Sequence, residues 1–227
     1  ITFFRARPRP PDGNPSRFSP DHIIIAHAAI ADSRHGRLIH VQRAARQGFG
    51  LAGSDTGNTR VWLDRWQLAR DGAAYRSVIA AREMALNLVM TAEQPPLLQG
   101  VDGYSRKGPR AESASHYYSI PHLRVSGEMR AGERMRPVTG EAWLDHEWSS
   151  SYLEPDAAGW DWTGINLDDG GALMAFRIRD RRGGTLWAGG SCLVRGTSPR
   201  DVLVPAVGGA VACTAAHNFL DSILYVP

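Results

Sequence analysis

The sequence has almost no lysine, few cysteines and no long apolar run. Of its 26 basic residues only Lys107 is a lysine, and the 25 arginines are scattered among 23 acidic residues. This skew is typical of the codon composition of GC-rich bacterial genomes, whereas a nucleic-acid-binding protein concentrates positive charge in one patch or stripe. We therefore do not expect nucleic acid as a partner.

Neither the start of the chain nor its cysteines indicate the cellular compartment of the protein. No stretch approaches the roughly 18 to 20 apolar residues of a membrane-spanning helix, and no charged start followed by an apolar run marks a signal peptide. The chain opens on the strand-like run Ile1–Arg5 without an initiator methionine, so we expect a soluble, processed or partial product. The cysteines, Cys192 and Cys213, leave their pairing and the redox compartment open.

Short strands separated by turns dominate the pattern. Val61–Leu68, Ala172–Arg179 and Thr185–Leu193 alternate between two faces, and turn residues such as Asp71-Gly72 separate such segments. Tyr75–Thr91 tolerates either a helix or strands, and its hairpin context favours strands. With no long helix, the sequence predicts a mainly β fold, an antiparallel sandwich or barrel.

One strand is predicted to be central. Ile23–Ile30 is apolar on both faces, which is typical of a strand flanked on both sides. Its His27 is therefore interpreted as a core histidine and not as a ligand or catalyst.

The densest cluster of reactive and aromatic side chains lies in Trp143–Tyr152 and in Gly159–Asn166. Read as a strand, the first segment alternates between two faces. One face carries Leu144, His146 and Trp148, and the other carries Trp143, Asp145 and Glu147. The second segment places Trp160 and Trp162 together. These aromatic faces and the histidine among apolar neighbours predict a pocket.

Two catalytic motifs are excluded because their residues do not have the required spacing. The run from His146 begins like a zinc-protease HExxH motif, but Ser150 stands where the second ligand is needed, so no metal site is predicted. Gly103–Gly108 is one residue too long for a GxSxG nucleophile elbow. A secreted hydrolase is therefore the weakest interpretation.

The central block resembles one family in four motifs. The motifs are Gly103–Pro109, Tyr117–Ser119, Val138–Ser151 and Gly159–Gly170. Together they are similar to the AttH-like proteins, relatives of the carotenoid 1,2-hydratases (hydroxyneurosporene synthases), and the similarity runs from residue 1 to about residue 194.

The resemblance implies two lipocalin-like β-barrel halves in tandem. The predicted domains are residues 1–123, lacking a first strand, and residues 124–227, divergent or truncated after about residue 195. Barrels of about eight strands can enclose one small apolar ligand. We therefore expect an apolar, isoprenoid-like ligand, and leave the oligomeric state open.

The resemblance also implies an activity. The hydratases add water across a terminal isoprenoid double bond without a redox cofactor, so no cofactor is expected and the enzyme would be a lyase. The family's His-x-Trp pair maps onto His146 and Trp148, whereas its tyrosine and aspartate fall within Leu173–Ile178, which contains neither. Two alternatives stay open: a hydratase-like enzyme of isoprenoid or carotenoid modification, and a non-catalytic lipocalin-like protein of the bacterial periplasm or cell envelope. A cytoplasmic location also stays open.

Alkene hydration needs a proton donor, a stabilised cation and a positioned water. Asp145 or Glu147 could donate the proton if their face lines the cavity, and His146 could orient water. Tryptophan faces stabilise a cation by roughly 0.5 to 2 kcal/mol each, a role open to Trp148, Trp160 and Trp162. Alternatively, the tryptophans are barrel core and rim, and His146 is hydrogen-bonded to a neighbouring strand.

Further candidates for ligand binding flank this cluster. Tyr117 and Tyr118 alternate faces, so only one of them can line a cavity, and Tyr118 is the predicted one. Arg106 and Lys107 either meet a carboxylated ligand or form a solvated turn, which is the favoured interpretation.

Overall fold

A computed structural model describes residues 1–8, 16, 19–150, 153–194 and 200–202. In these residues the chain is mainly β, with antiparallel strands and a single 3-10 turn at Ser33–His35. The predicted antiparallel, lipocalin-like β fold is confirmed. No helix in the described part of the chain is long and apolar enough to cross a membrane.

The strands belong to two compact units. Unit 1 takes Ile1–Ala92 and Arg124–Glu141, and unit 2 takes Glu93–Leu123 and the chain from Ala142 onward. The chain passes from one unit to the other within two long strands, β11 (Ala114–Ala131) and β12 (Arg136–Trp148). The division of the chain into domains of residues 1–123 and 124–227 stays a prediction. The second domain was predicted to be divergent or truncated after about residue 195, and that part lies largely outside the described residues.

Unit 1 contains a three-stranded sheet and a meander. Its strands are β1 (Thr2–Ala6), β2 (Ile23–Ile30), β3 (Ile39–Arg46), β4 (Ala52–Ser54), β5 (Arg60–Leu63), β6 (Trp66–Asp71), β7 (Ala74–Ala80) and β8 (Met84–Thr91). The first three form a sheet with β2 in the middle, as predicted. β4 to β8 pair in sequence, so Tyr75–Thr91 forms two strands, and β8 also pairs with the end of β11. The prediction of one strand over Val61–Leu68 is wrong, because the chain turns at Asp64 and Arg65 and the segment forms the hairpin of β5 and β6. The core is apolar around Trp66, Ile24, Ile79 and Met84.

The prediction for His27 is wrong. Ile24, Ala26 and Ala28 of β2 are buried, but His27 is exposed and its ring lies edge-on to Phe4 at 5.5 Å. The strand is apolar on both faces, yet the core covers only one of them.

Unit 2 is built from the remaining strands. These are β9 (Leu97–Leu98), β10 (Tyr104–Arg106), β13 (Ala157–Asn166), β14 (Ala172–Asp180), β15 (Thr185–Leu193) and β16 (Arg200–Val202), together with residues 114–123 of β11 and 142–148 of β12. β10, β9 and β12 pair with β11, and β13 to β16 form a four-stranded sheet in that order. β13, β14 and β15 form a meander, in which the segments predicted to alternate, Ala172–Arg179 and Thr185–Leu193, are neighbouring strands.

The core of unit 2 follows the predicted alternation. Met174, Phe176 and Ile178 of β14 are buried and pack with Tyr117 of β11. One side of β11 and β12 therefore faces β13 and β14, and this packing creates the site described next.

Candidate functional site

The paired strands β11 and β12 present two chemically different faces in unit 2. We call the side that packs toward β13 and β14 the inner face. It carries Ser115, Tyr117 and Ser119 of β11 and Trp143, Asp145 and Glu147 of β12. We call the opposite side the aromatic face, and it carries His116, Tyr118, His146 and Trp148. The predicted alternation of the β12 segment is thus observed.

Asp145 is the centre of the inner face. Its Oδ1 accepts hydrogen bonds from the Tyr117 hydroxyl at 2.9 Å, the Ser119 hydroxyl at 2.6 Å and the Trp143 indole N–H at 2.8 Å. The Tyr117 hydroxyl in turn accepts from the Trp162 indole N–H at 3.0 Å. Aspartate, tyrosine and two tryptophans therefore form one hydrogen-bonded chain between the strands.

Opposing effects act on the pKa of Asp145. Crowding by protein atoms removes water and raises its pKa, and the Glu147 charge raises it further, while the three donors work in the opposite direction. The residue nevertheless keeps exposed surface. Burial also raises the pKa of Tyr117 well above its usual range, so the tyrosine stays protonated and acts as a donor.

Lys107 enters the inner face from the segment after β10. Its ammonium lies 2.9 Å from Glu147 Oε1 and 3.0 Å from the Ser105 hydroxyl, and it sits 4.7 Å and 4.2 Å from the ring centres of Tyr117 and Phe176. Burial lowers its pKa, while the Glu147 charge raises it. With only 5% of Lys107 exposed, the favoured interpretation of this lysine as part of a solvated turn is wrong.

The aromatic face is a ladder of rings. The Tyr118 hydroxyl and His146 Nδ1 are 2.8 Å apart, so His146 is hydrogen-bonded to the neighbouring strand. Trp148 lies 5.3 Å from the His146 ring and stacks on His116 at 5.4 Å and 21°. Tyr104 of β10 extends the ladder beside His116 at 5.9 Å. Burial lowers the pKa of His146, whereas Trp148 is 52% exposed.

The predicted site residues fall into three groups. Those of the inner face are Asp145, Glu147, Trp162 and Lys107, and those of the aromatic face are His146, Trp148 and Tyr118. Arg106 lies apart, with its guanidinium 4.6 Å above the Trp187 ring, and Trp160 is 55% exposed. Ser151, Tyr152 and Cys213 lie outside the described residues.

Several participants were missed in the sequence. Gln99 donates its amide N–H to the Ser119 hydroxyl at 2.8 Å, and the Ser115 hydroxyl donates to Glu147 Oε1 at 2.6 Å. A signal was present, because Ser115, Tyr117 and Ser119 repeat with the period of a strand. This repeat indicates that one face of the strand is polar, and that face holds the hydrogen-bonded network. Among the described residues no three histidine, cysteine, aspartate or glutamate side chains gather as a metal site.

Comparison with known proteins identifies the family. The family model of the AttH-like proteins matches residues 1–203. The chain belongs to the AttH-like family. A crystal structure from Nitrosomonas europaea that is assigned to AttH is similar at 50% identity and a TM-score of 0.77, covering 83% of this chain and 59% of that one. None of the curated proteins matches the chain.

A second solved structure shares the fold alone. Kievitone hydratase from Nectria haematococca is 10% identical, with a TM-score of 0.62 over 80% of this chain and 55% of that one. The chain thus spans between half and two thirds of the length of these two structures.

Proposed function

We propose that this AttH-like chain forms part of a protein that binds an apolar, unsaturated small molecule on the aromatic face and adds water to it. The contact between the Tyr118 hydroxyl and His146 Nδ1 carries the proposal, because it places a proton-exchanging pair among aromatic rings. The resemblance to the hydratases, whose His-x-Trp pair corresponds to His146 and Trp148, supports it. An isoprenoid is the proposed substrate class.

The proposed reaction balances without a redox partner. The imidazolium of His146 donates its Nε2 proton to the alkene carbon, water adds to the resulting cation, and Nε2 takes back the proton that the water loses. The lowered pKa of His146 makes its protonated form a stronger acid. Tyr118 holds the ring through Nδ1, and the exposed Trp148 face stabilises the cation by about 0.5 to 2 kcal/mol.

A binding role without turnover is the second candidate. The segment in which the resemblance places the family's tyrosine and aspartate lies in β14, where Leu173, Met174, Phe176 and Ile178 are buried and apolar. A lipocalin-like protein of the cell envelope that only holds an apolar ligand fits this observation.

The test uses citronellol at low concentration, a short isoprenoid alcohol whose double bond lies in its terminal isoprene unit. Incubation in heavy-oxygen water should give a diol that carries one labelled oxygen, as detected by mass spectrometry. His146→Ala should keep citronellol binding, followed by tryptophan fluorescence, and lose turnover at least tenfold. The exposed His27 of unit 1 supplies the control His27→Ala, which should leave both citronellol binding and turnover unchanged.

Each result separates the candidates. Binding without turnover by the wild type, or loss of affinity in His146→Ala, would favour the non-catalytic role. A wild-type protein that does not bind citronellol, other isoprenoid alcohols or hydrocarbons would contradict both candidates.

A further inference from the structure

The donors of the inner face are already used within the protein. Each donor group of the inner face donates to an acceptor of the protein. These groups are Gln99, Lys107, Ser115, Tyr117, Ser119, Trp143 and Trp162. The Lys107 ammonium also contacts two aromatic rings. Because hydroxyl, indole and ammonium protons are few and directional, the cluster has little left to donate to a ligand.

The acceptors, in contrast, are only half used. The three hydrogen bonds of Asp145 all end on Oδ1, and both polar contacts of Glu147 end on Oε1. Among the residues that the structure describes, no donor reaches Asp145 Oδ2 or Glu147 Oε2, so both oxygens remain for further donors. Because Asp145 and Glu147 are two residues apart on one strand, their side chains project on the same side from Cα atoms about 7 Å apart.

A buried amide gives an independent indication of a missing donor. Gln99 is fully buried and its amide reaches into the cluster through Ser119, yet its Oε1 has no partner among the described residues. Orphaned buried acceptors are costly and uncommon in native proteins. Within the described part of the chain, the buried amide next to Ser119 thus lacks a donor, as do the open carboxylate oxygens.

The inner face also carries one more negative than positive charge. Two carboxylates, Asp145 and Glu147, face the single ammonium of Lys107. Lys107 shows which chemistry the face accepts, since its ammonium combines a carboxylate contact with two aromatic faces. One additional monovalent cation would balance the second carboxylate.

The open side of the cluster has aromatic walls. Trp143 and Trp162 lie edge-on with ring centres 6.2 Å apart, and both are only partly buried. Asp145 and Glu147 keep exposed surface beside them. A flat or apolar group attached to an ammonium could therefore contact indole while its N–H groups reach the carboxylates.

We propose that the inner face is a second binding site, which takes a small organic ammonium ion through Asp145 Oδ2 and Glu147 Oε2 with Trp143 and Trp162 as walls. The ligand class is a primary amine, protonated and attached to an aromatic or apolar group. The proposal does not depend on alkene hydration, because the aromatic face lies on the other side of β11 and β12.

The test compares three ligands of one shape by isothermal titration calorimetry on the whole chain at constant ionic strength. Benzylammonium should bind at least tenfold more tightly than neutral benzyl alcohol, and benzoate should not bind. Asp145→Asn should weaken benzylammonium binding at least tenfold, and Glu147→Gln should weaken it less. Asp161→Asn removes the same charge from exposed ion pairs with Arg177 and Arg179 and should leave the affinity within twofold.

A second measurement keeps the proposal testable if Asp145→Asn fails to fold. In the wild type, benzylammonium should shift the indole N–H resonances of Trp143 and Trp162, assigned by single Trp→Phe variants. Equal affinity for benzyl alcohol would show an apolar slot without ammonium recognition. Equal losses in Asp145→Asn and Asp161→Asn would show nonspecific charge attraction, and unshifted Trp143 and Trp162 resonances would place any binding elsewhere. Each of these results overturns the proposal.

Discussion

Unit 1 and unit 2 bury different kinds of side chain. The core of unit 1 is apolar, with Trp66, Ile24 and Met84 fully buried. Unit 2 also buries apolar residues, but it sets Lys107 and Tyr117 beside the carboxylates of Asp145 and Glu147. The same class of β structure therefore encloses an ordinary core in one unit and an ionisable network in the other.

The difference indicates where function resides. Lys107 is buried, and removing its ammonium from water costs free energy that pairing with Glu147 only partly returns, so an apolar packing of equal volume is often as stable. The inner network of unit 2 is thus not explained by stability alone. The comparison predicts that substitutions in unit 1 act on folding, whereas substitutions in unit 2 act on binding as well.

The largest effect on folding should come from Trp66→Ala. Trp66 is fully buried and its indole N–H donates to the Ala80 carbonyl at 2.9 Å, so truncation should lower the free energy of unfolding by about 3 to 5 kcal/mol. Urea denaturation followed by circular dichroism measures the loss. Trp160→Ala, at a 55% exposed position, should cost less than about 0.5 kcal/mol, and equal losses would remove the distinction between core and surface tryptophans.

Lys107→Met should come next. It leaves Glu147 without its ammonium partner, and the expected loss of unfolding free energy is about 1 to 3 kcal/mol because the glutamate side chain is still 33% exposed and can recover some water. The double variant Lys107→Met with Glu147→Gln should recover part of this loss in urea denaturation. If the double variant is instead the sum of both single losses, Lys107 and Glu147 are not coupled.

Gly164→Ala should have a smaller effect, confined to the tryptophan walls. A Cβ at Gly164 would lie 2.6 Å from the Trp162 ring and 2.9 Å from the Trp143 ring, so the rings must move, at a cost of about 1 to 3 kcal/mol. Near-ultraviolet circular dichroism should report the displaced indoles. Gly140→Ala is the matched control, because its Cβ would meet nothing within 4 Å, and an unchanged spectrum in both variants would contradict the predicted contact.

The smallest effect should be a change in pH dependence. The pKa of Asp145 is raised above 3.8 in the folded chain, so just above that pH the folded chain holds more protons than the unfolded chain. The protonated Asp145 therefore contributes to the free energy of unfolding at low pH, and this contribution is lost as the pH rises through the raised pKa. The difference in unfolding free energy between Asp145→Asn and wild type should therefore shift in favour of the variant as the pH rises.

Urea denaturation across this pH range checks the sign. A difference between Asp145→Asn and wild type that stays constant or moves in favour of wild type as the pH rises would contradict the predicted sign.

The sequence predicted regular features well and side-chain partners poorly. Alternation with a period of two gave the faces of β12 and the buried row of β14, because this period follows from strand geometry alone. Turn residues likewise placed the limits of β14 and β15. Such features depend on neighbours along the chain, which the sequence displays directly.

The errors arose where the neighbours are distant in sequence. His27 lies on an apolar strand, but only the tertiary packing decides that its face is exposed. Lys107 stands in a polar, glycine-containing run typical of a turn, and its burial depends on Phe176 and Glu147. Tyr117 was passed over for Tyr118 because the alternation shows that they face apart but not which face holds the network.

The central claim is that β11 and β12 carry two separate sites, and the indole resonances of one labelled sample test it most directly. Citronellol should shift Trp148 of the aromatic face and leave Trp143 and Trp162 unshifted. Benzylammonium should do the reverse. If both ligands shift the same tryptophans, the two faces do not act as separate sites and the account is wrong.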